Sequence, residues 1–157
     1  VLGKNARKRT SSEIAQLAAD LYYKKGLELW GDKYEIVLGG GFMSVRSPYE
    51  LAAGDVTYGM LYSLLPFDND LVLCSIKGRD LKSRFFETDN DRYYLSYGDY
   101  GKQVKNNIDP NKTYYVVVDS YSSVYAPNRL TEIERYEEKY YARDMLADYA
   151  KSGGFKK

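Results

Sequence analysis

The chain contains no histidine. That absence removes the commonest general base and the commonest transition-metal ligand. Ser–His and Cys–His catalysis, zinc hydrolysis and a histidine-supported dimetal centre cannot be assembled from these residues alone. The single cysteine, Cys74, excludes an intrachain disulfide and a cysteine-based metal site. It lies in an apolar run and reads as an inert core residue. An excess of charge of either sign is also missing, since 23 Lys and Arg face 22 Asp and Glu for a net +1. Such a balance argues against broad binding to a nucleic-acid polymer or a membrane surface, and leaves room for a local cationic pocket. No apolar stretch nears the roughly 20 residues that would span a bilayer. The chain begins at Val1 without a signal-peptide pattern, which reads as a processed or excised piece of a longer protein.

What is present is 157 residues, enough for one domain with a full core, and 18 tyrosines, a supply suited to stacking and partner contact. Thr10-Ser11-Ser12-Glu13 forms a capping-box pattern, followed by Ile14, Leu17, Ala18 and Leu21 at helical spacing. The spacing predicts a helix to about Lys25, ended by Gly26. Residues 34–38 read as a short buried strand running into Gly39-Gly40-Gly41, and residues 42–53 as irregular. A short helix starts within residues 54–57, with Asp55 or Thr57 as cap, and Pro66 stops it after Leu64.

Residues 70–76, apolar on both faces, read as a central strand. Gly78 introduces a helix with Leu81 and Phe85 inward. Residues 93–97 and 113–119 read as two more strands, joined by a loop carrying Gly98, Gly101 and the turn Asp109-Pro110-Asn111. A long polar helix is expected over residues 131–150, with Ile133, Tyr136, Tyr140 and Leu146 inward, and the tail KSGGFKK is expected to fray. Helices and strands are interspersed without strict βα alternation. The fold class that follows is α+β, a single domain with a mixed β-sheet packed with helices.

Three stretches could carry chemistry. Arg7 and Arg9 precede the first helix, whose unpaired N–H groups already favour an anion, although a solvated basic leader would look the same. Gly39-Gly40-Gly41 let the backbone turn sharply or approach a ligand, with Arg46 five residues beyond; the pattern is neither a Walker loop nor a dinucleotide fingerprint. The third is LPFDND, residues 65–70, where Phe67 is either a core side chain or a platform on which something flat lies. Asn69 and Asp70 beside it offer donors and acceptors. Tyr121, in DSYSSVYAPN, leaves the strand YYVVV at its C-terminal end. Two aromatics brought face to face there would admit a planar ring, and such stacking contributes about 1–3 kcal/mol per base.

Taken in order, the triple glycine with Arg46, then AGDVTYGMLYSLLPFDN, LVLCSIKGRDL and TYYVVVDSY resemble the C-terminal domain of the 5′-nucleotidase family. That family includes UDP-sugar hydrolases and 2′,3′-cyclic-nucleotide phosphodiesterases. The similarity runs from about Arg7 to about Asn128 and is most specific over residues 54–69. It implies that Phe67 and Tyr121 stack on a nucleoside base and that Asn69 hydrogen-bonds to it. By the same resemblance Arg46, with Arg7 or Arg9, contacts substrate oxygens, and Gly41 lets the backbone approach the ligand. Asn128 would take the role of the family's ribose-binding Asp. Leu38 replaces the usual Asn before the glycines, GGGFMSVR is longer than the family's loop, and YAPN replaces its Gly-Gly-Asp-Gly.

The resemblance further implies an N-terminal metallophosphoesterase domain upstream. That domain would hold two divalent metal ions, with no cofactor and no catalytic or metal-ligating residue in this chain. The protein so implied is an extracytoplasmic nucleotide phosphohydrolase whose present segment binds a nucleoside or nucleotide and is inactive alone. The alternative is a non-catalytic surface module that uses its tyrosines on carbohydrate or a protein partner.

Overall fold

The computed structural model describes residues 1–41, 45–46, 49–87, 94–125 and 130–157. Its centre is a five-stranded sheet formed by β2 (Ile36–Gly41), β4 (Leu71–Lys77), β5 (Tyr94–Ser96), β6 (Thr113–Asp119) and β7 (Thr131–Tyr136), in the order β5-β2-β6-β4-β7. The β2–β6 pair is parallel and the other three pairs are antiparallel, so the sheet is mixed. A separate two-stranded ribbon pairs β1 (Gly3–Asn5) with β3 (Gly54–Val56).

Alternation along the central strands explains why they are apolar throughout. Leu71, Leu73 and Val117 face a core shared with α1 (Ser11–Trp30), α2 (Tyr58–Leu64) and α6 (Ala142–Lys151). Val72, Cys74, Ile76, Val116 and Val118 face a second core closed by α3 (Gly78–Leu81) and α4 (Asp99–Asn106). Period-two side-chain direction with helices on both faces leaves no solvated side. Cys74 is buried in the second core, where desolvation pushes its thiol pKa up to about 12.

The capping box forms as its residues dictate. Thr10 Oγ1 accepts from the Glu13 N–H at 3.2 Å, and the Thr10 N–H donates to Glu13 Oε1 at 3.4 Å. The first helix does not end at Gly26, however; it continues to Trp30. A Cβ at Gly26 would lie 2.6 Å from Val117 Cγ2, so glycine is the residue that lets α1 lie against β6. In α2, Thr57 caps the helix by accepting from the Met60 N–H at 3.3 Å, and residues 54–56 form a strand before it.

Further expectations from the sequence are corrected. The long helix over residues 131–150 is two elements, edge strand β7 and helix α6, separated by a turn in which Lys139 adopts φ 52°. Glu132, Glu134 and Arg135 suit a helix surface as well as an exposed sheet edge, and the free side of β4 decides for the edge. The loop before β6 contains α4, in which Gly101 packs under the Val37 carbonyl. A further helix, α5 (Ser120–Tyr125), follows β6 directly.

The tail does not fray. Phe155 is 0% exposed, lies edge-on to Tyr149 at 4.9 Å, and accepts the Ala6 N–H at 2.9 Å through its carbonyl.

Candidate nucleoside site

One end of the sheet gathers most of the residues singled out from the sequence. Parallel pairing sets Gly40 beside Val118, and antiparallel pairing sets Leu71 opposite Asp119 and Tyr94 opposite Gly41. The Tyr94 hydroxyl bonds to Ser12 Oγ at 3.2 Å, which brings the start of α1 to the same end. The C-terminal ends of β2 and β6, the start of β4 and the N-terminus of α1 therefore converge.

Glycine is required at the floor of this end. Gly41 has φ 133°, and a Cβ there would lie 2.6 Å from Ser122 Oγ and 2.9 Å from Asp119 Oδ2. Asp119 is 3% exposed, and burial raises its pKa against the opposing effect of its hydrogen bonds. Its carboxylate accepts the Ser122 N–H at 2.7 Å and the Ser122 hydroxyl at 2.7 Å, which fixes the first turn of α5 and hence the direction in which Tyr121 leaves. Tyr121 itself is 45% exposed.

The turn over residues 65–70 is tied down at both ends. At its C-terminal end the Ser120 hydroxyl accepts the Asp70 N–H at 2.9 Å, and the Asp70 carbonyl accepts the Ser120 N–H at 2.8 Å. This exchange joins the Phe67 turn to the start of the helix that carries Tyr121. Asp70 also pairs with Arg135 at 3.2 Å. At the other end Arg143 donates to the Leu65 and Phe67 carbonyls at 3.2 and 3.1 Å, and to the Asp68 carboxylate. Between these anchors Phe67 stands 48% exposed, and is thus a surface ring rather than a core side chain. The neighbouring Asn69 is half-buried.

The arginines separate into different roles. Arg46 is exposed, and its N–H bonds to the Leu64 carbonyl at 2.9 Å, which places it beside the Phe67 turn. Arg7 is exposed and pairs with Glu13 at 2.6 Å, holding the Glu13 carboxyl below its usual range through that hydrogen bond. Arg9 is committed elsewhere. It bonds to Asn5 Oδ1 at 2.8 Å, lies 5.2 Å from the Phe155 ring centre, and reaches the carbonyls of Phe155 and Lys157 at 3.3 Å. Asn128 lies outside the described residues.

Sequence reading missed Asp119, Ser120, Ser122 and Arg143. The first three had a signal, because Asp followed by Ser-x-Ser at the end of a buried strand is a helix-capping pattern. Arg143 had none, since an arginine on a polar helix ordinarily points to water.

Among the described residues, no group of three or more Asp, Glu or Cys side chains is placed to hold a metal ion. The described carboxylates at this end of the sheet, Glu13, Asp68, Asp70 and Asp119, are bound to arginine or serine donors. No helix among the described residues is long and apolar enough to cross a membrane.

The sequence matches the family model for the 5′-nucleotidase, C-terminal domain, over residues 2–125. No curated protein matches it significantly. Among solved structures, the 5′-nucleotidase precursor from Thermus thermophilus superposes with a TM-score of 0.57 at 18% identity, over 97% of this chain and 36% of that one. A putative 5′-nucleotidase from Staphylococcus aureus superposes with a TM-score of 0.55 at 12% identity, over 94% of this chain and 37% of that one. The chain spans little more than a third of either protein's length. At these identities the likeness is one of fold.

Proposed function

The chain belongs to the family of 5′-nucleotidase C-terminal domains, and from that premise we propose that it is the nucleoside-recognition domain of a nucleotide phosphohydrolase. Phe67 and Tyr121 take the two faces of the base, Asn69 bonds to its edge, and Gly41 admits the sugar to the sheet end. Arg46 and Arg7 meet the phosphate oxygens. Arg9, already bonded to Asn5 and to the Phe155 carbonyl, leaves the phosphate to Arg7 in this reading, and Asn128 keeps its candidacy for the ribose from the sequence alone.

The observation that carries the reading is the half-exposed Phe67, on a turn hydrogen-bonded to the helix that presents an equally exposed Tyr121. An apolar ring held in water at an ordered position is poised for stacking. Hydrolysis in this proposal belongs to a separate metallophosphoesterase domain with two divalent ions, and the intact protein works outside the cytoplasm. This chain positions substrate and leaves the phosphoester intact.

Calorimetric titration of the chain with adenosine, AMP and UMP tests the assignment. Binding that is weakened by Phe67→Ala and by Tyr121→Ala is the expected result. Silence at millimolar ligand from both wild type and variants would remove the clamp, and a response to oligosaccharides instead would favour a carbohydrate-binding surface module.

A further inference from the structure

We propose that Arg143 is a positioning residue for nucleoside binding, a buried guanidinium that holds the 65–69 turn in the pose that presents Phe67. The inference rests on the clamp reading above and assigns to it a residue that lies well beyond residue 125, where the family match ends.

Arg143 is 6% exposed, and among the described residues the other buried polar or charged side chains, Asn5, Asp119 and Ser122, are short. Its Nη1 reaches two carbonyls of one turn, those of Leu65 at 3.2 Å and Phe67 at 3.1 Å. Its Nη2 pairs with the carboxylate of Asp68, the next residue of the same turn. The remaining edge donates from Nε to the Tyr58 hydroxyl at 2.9 Å, and that hydroxyl donates to Asp144 at 2.8 Å. The guanidinium carbon lies 4.7 Å from the Tyr62 ring centre and 5.0 Å from that of Tyr141.

A turn between a helix and a strand has no ladder of its own, and Pro66 removes one of its few N–H groups. The planar fork of an arginine can bond several acceptors in fixed directions at once, which a lysine cannot. The stem of α6 thus carries a template against which the Phe67 turn is cast. Phe67 is half in water, so burial holds it only in part, and the carbonyl on which Arg143 pulls sets the course of the backbone that bears the ring. Leaving that guanidinium out costs the turn three charge-assisted bonds without emptying any part of the apolar core.

Two readouts separate this role from the clamp and from simple folding. The first is the heteronuclear NOE of the backbone amides of residues 67–69, without ligand, in wild type, Arg143→Met, Arg143→Lys and Asp68→Asn. Asp68 is exposed, so Asp68→Asn strips the charge from one arm of the fork and leaves a neutral acceptor, with the fold undisturbed. The expected result is a drop in NOE confined to residues 67–69, largest in Arg143→Met, with the amides of β4 and β6 unchanged.

The second is adenosine affinity, expected to fall about tenfold in Arg143→Met and by a few-fold in Asp68→Asn, as loss of charged hydrogen bonds predicts. Unchanged NOE values in Arg143→Met and Asp68→Asn overturn the inference whatever the titration gives. A loosened turn with unchanged adenosine affinity overturns it as well. A wild-type chain that binds no nucleoside overturns the clamp, and with it the role of Arg143 in binding, while the NOE series still reports whether the guanidinium orders the turn.

Discussion

Replacing Phe67 with alanine separates two readings of the same ring by the size of two effects. Fully burying a phenylalanine side chain is worth about 1.5–3 kcal/mol. With Phe67 48% exposed, about half of that is available, so Phe67→Ala should cost roughly 1 kcal/mol of stability or less. Stacking on a base is worth about 1–3 kcal/mol, which corresponds to a fivefold to 150-fold loss of affinity. The variant should therefore unfold in urea close to the wild-type midpoint and bind adenosine far more weakly. Urea titration followed by tyrosine fluorescence gives the first number, and calorimetry gives the second. A stability loss above about 3 kcal/mol would mean that the ring is core after all. Unchanged adenosine affinity with unchanged stability would leave the exposed ring without a function.

Phe155→Ala should behave in the opposite way, costing about 3–5 kcal/mol in urea unfolding because the ring is fully buried, with a marginal fold as the visible result. Asp119 holds its proton more tightly folded than unfolded because it is buried. Its favourable contribution is thus fully present below about pH 4, the ordinary aspartate range, and is lost as the pH rises through the elevated folded value. Asp119→Asn keeps an acceptor for Ser122 and should gain on wild type as the pH rises above about 4; a constant offset between the two at every pH would refute this. Cys74, with its thiol pKa near 12, should resist alkylation at pH 8 in the folded chain and react once urea unfolds it.

The parts of the fold that were legible in the sequence are those in which local signals and tertiary demands coincide. Thr10 and Glu13 cap α1 through short-range bonds, and the run 70–76 is apolar on both faces because two helical layers cover it. Elsewhere a distant partner decides. TEIERY reads equally as helix or as edge strand until the open side of β4 is known. Gly101 looks like a loop residue but lies inside α4, where the Val37 carbonyl leaves no room for a Cβ. The glycines of the tail suggested fraying, and only the slot between Tyr149 and Arg9 shows why Phe155 is held. At the candidate site the exposed aromatics could be found from the order of motifs. The buried arginine that braces one of them could not, because nothing local distinguishes Arg143 from a solvated neighbour.

Arg9 and Ala6 at the start of the chain close on Phe155 at its end, and that closure has a kinetic consequence. Ala6 and Arg9 cannot make these contacts until residue 155 is in place, a sequence separation close to the 157 residues of the chain. Contacts of such long range slow folding relative to local ones. The segment around Ala6 and Arg9 is thus among the last parts of this domain to settle.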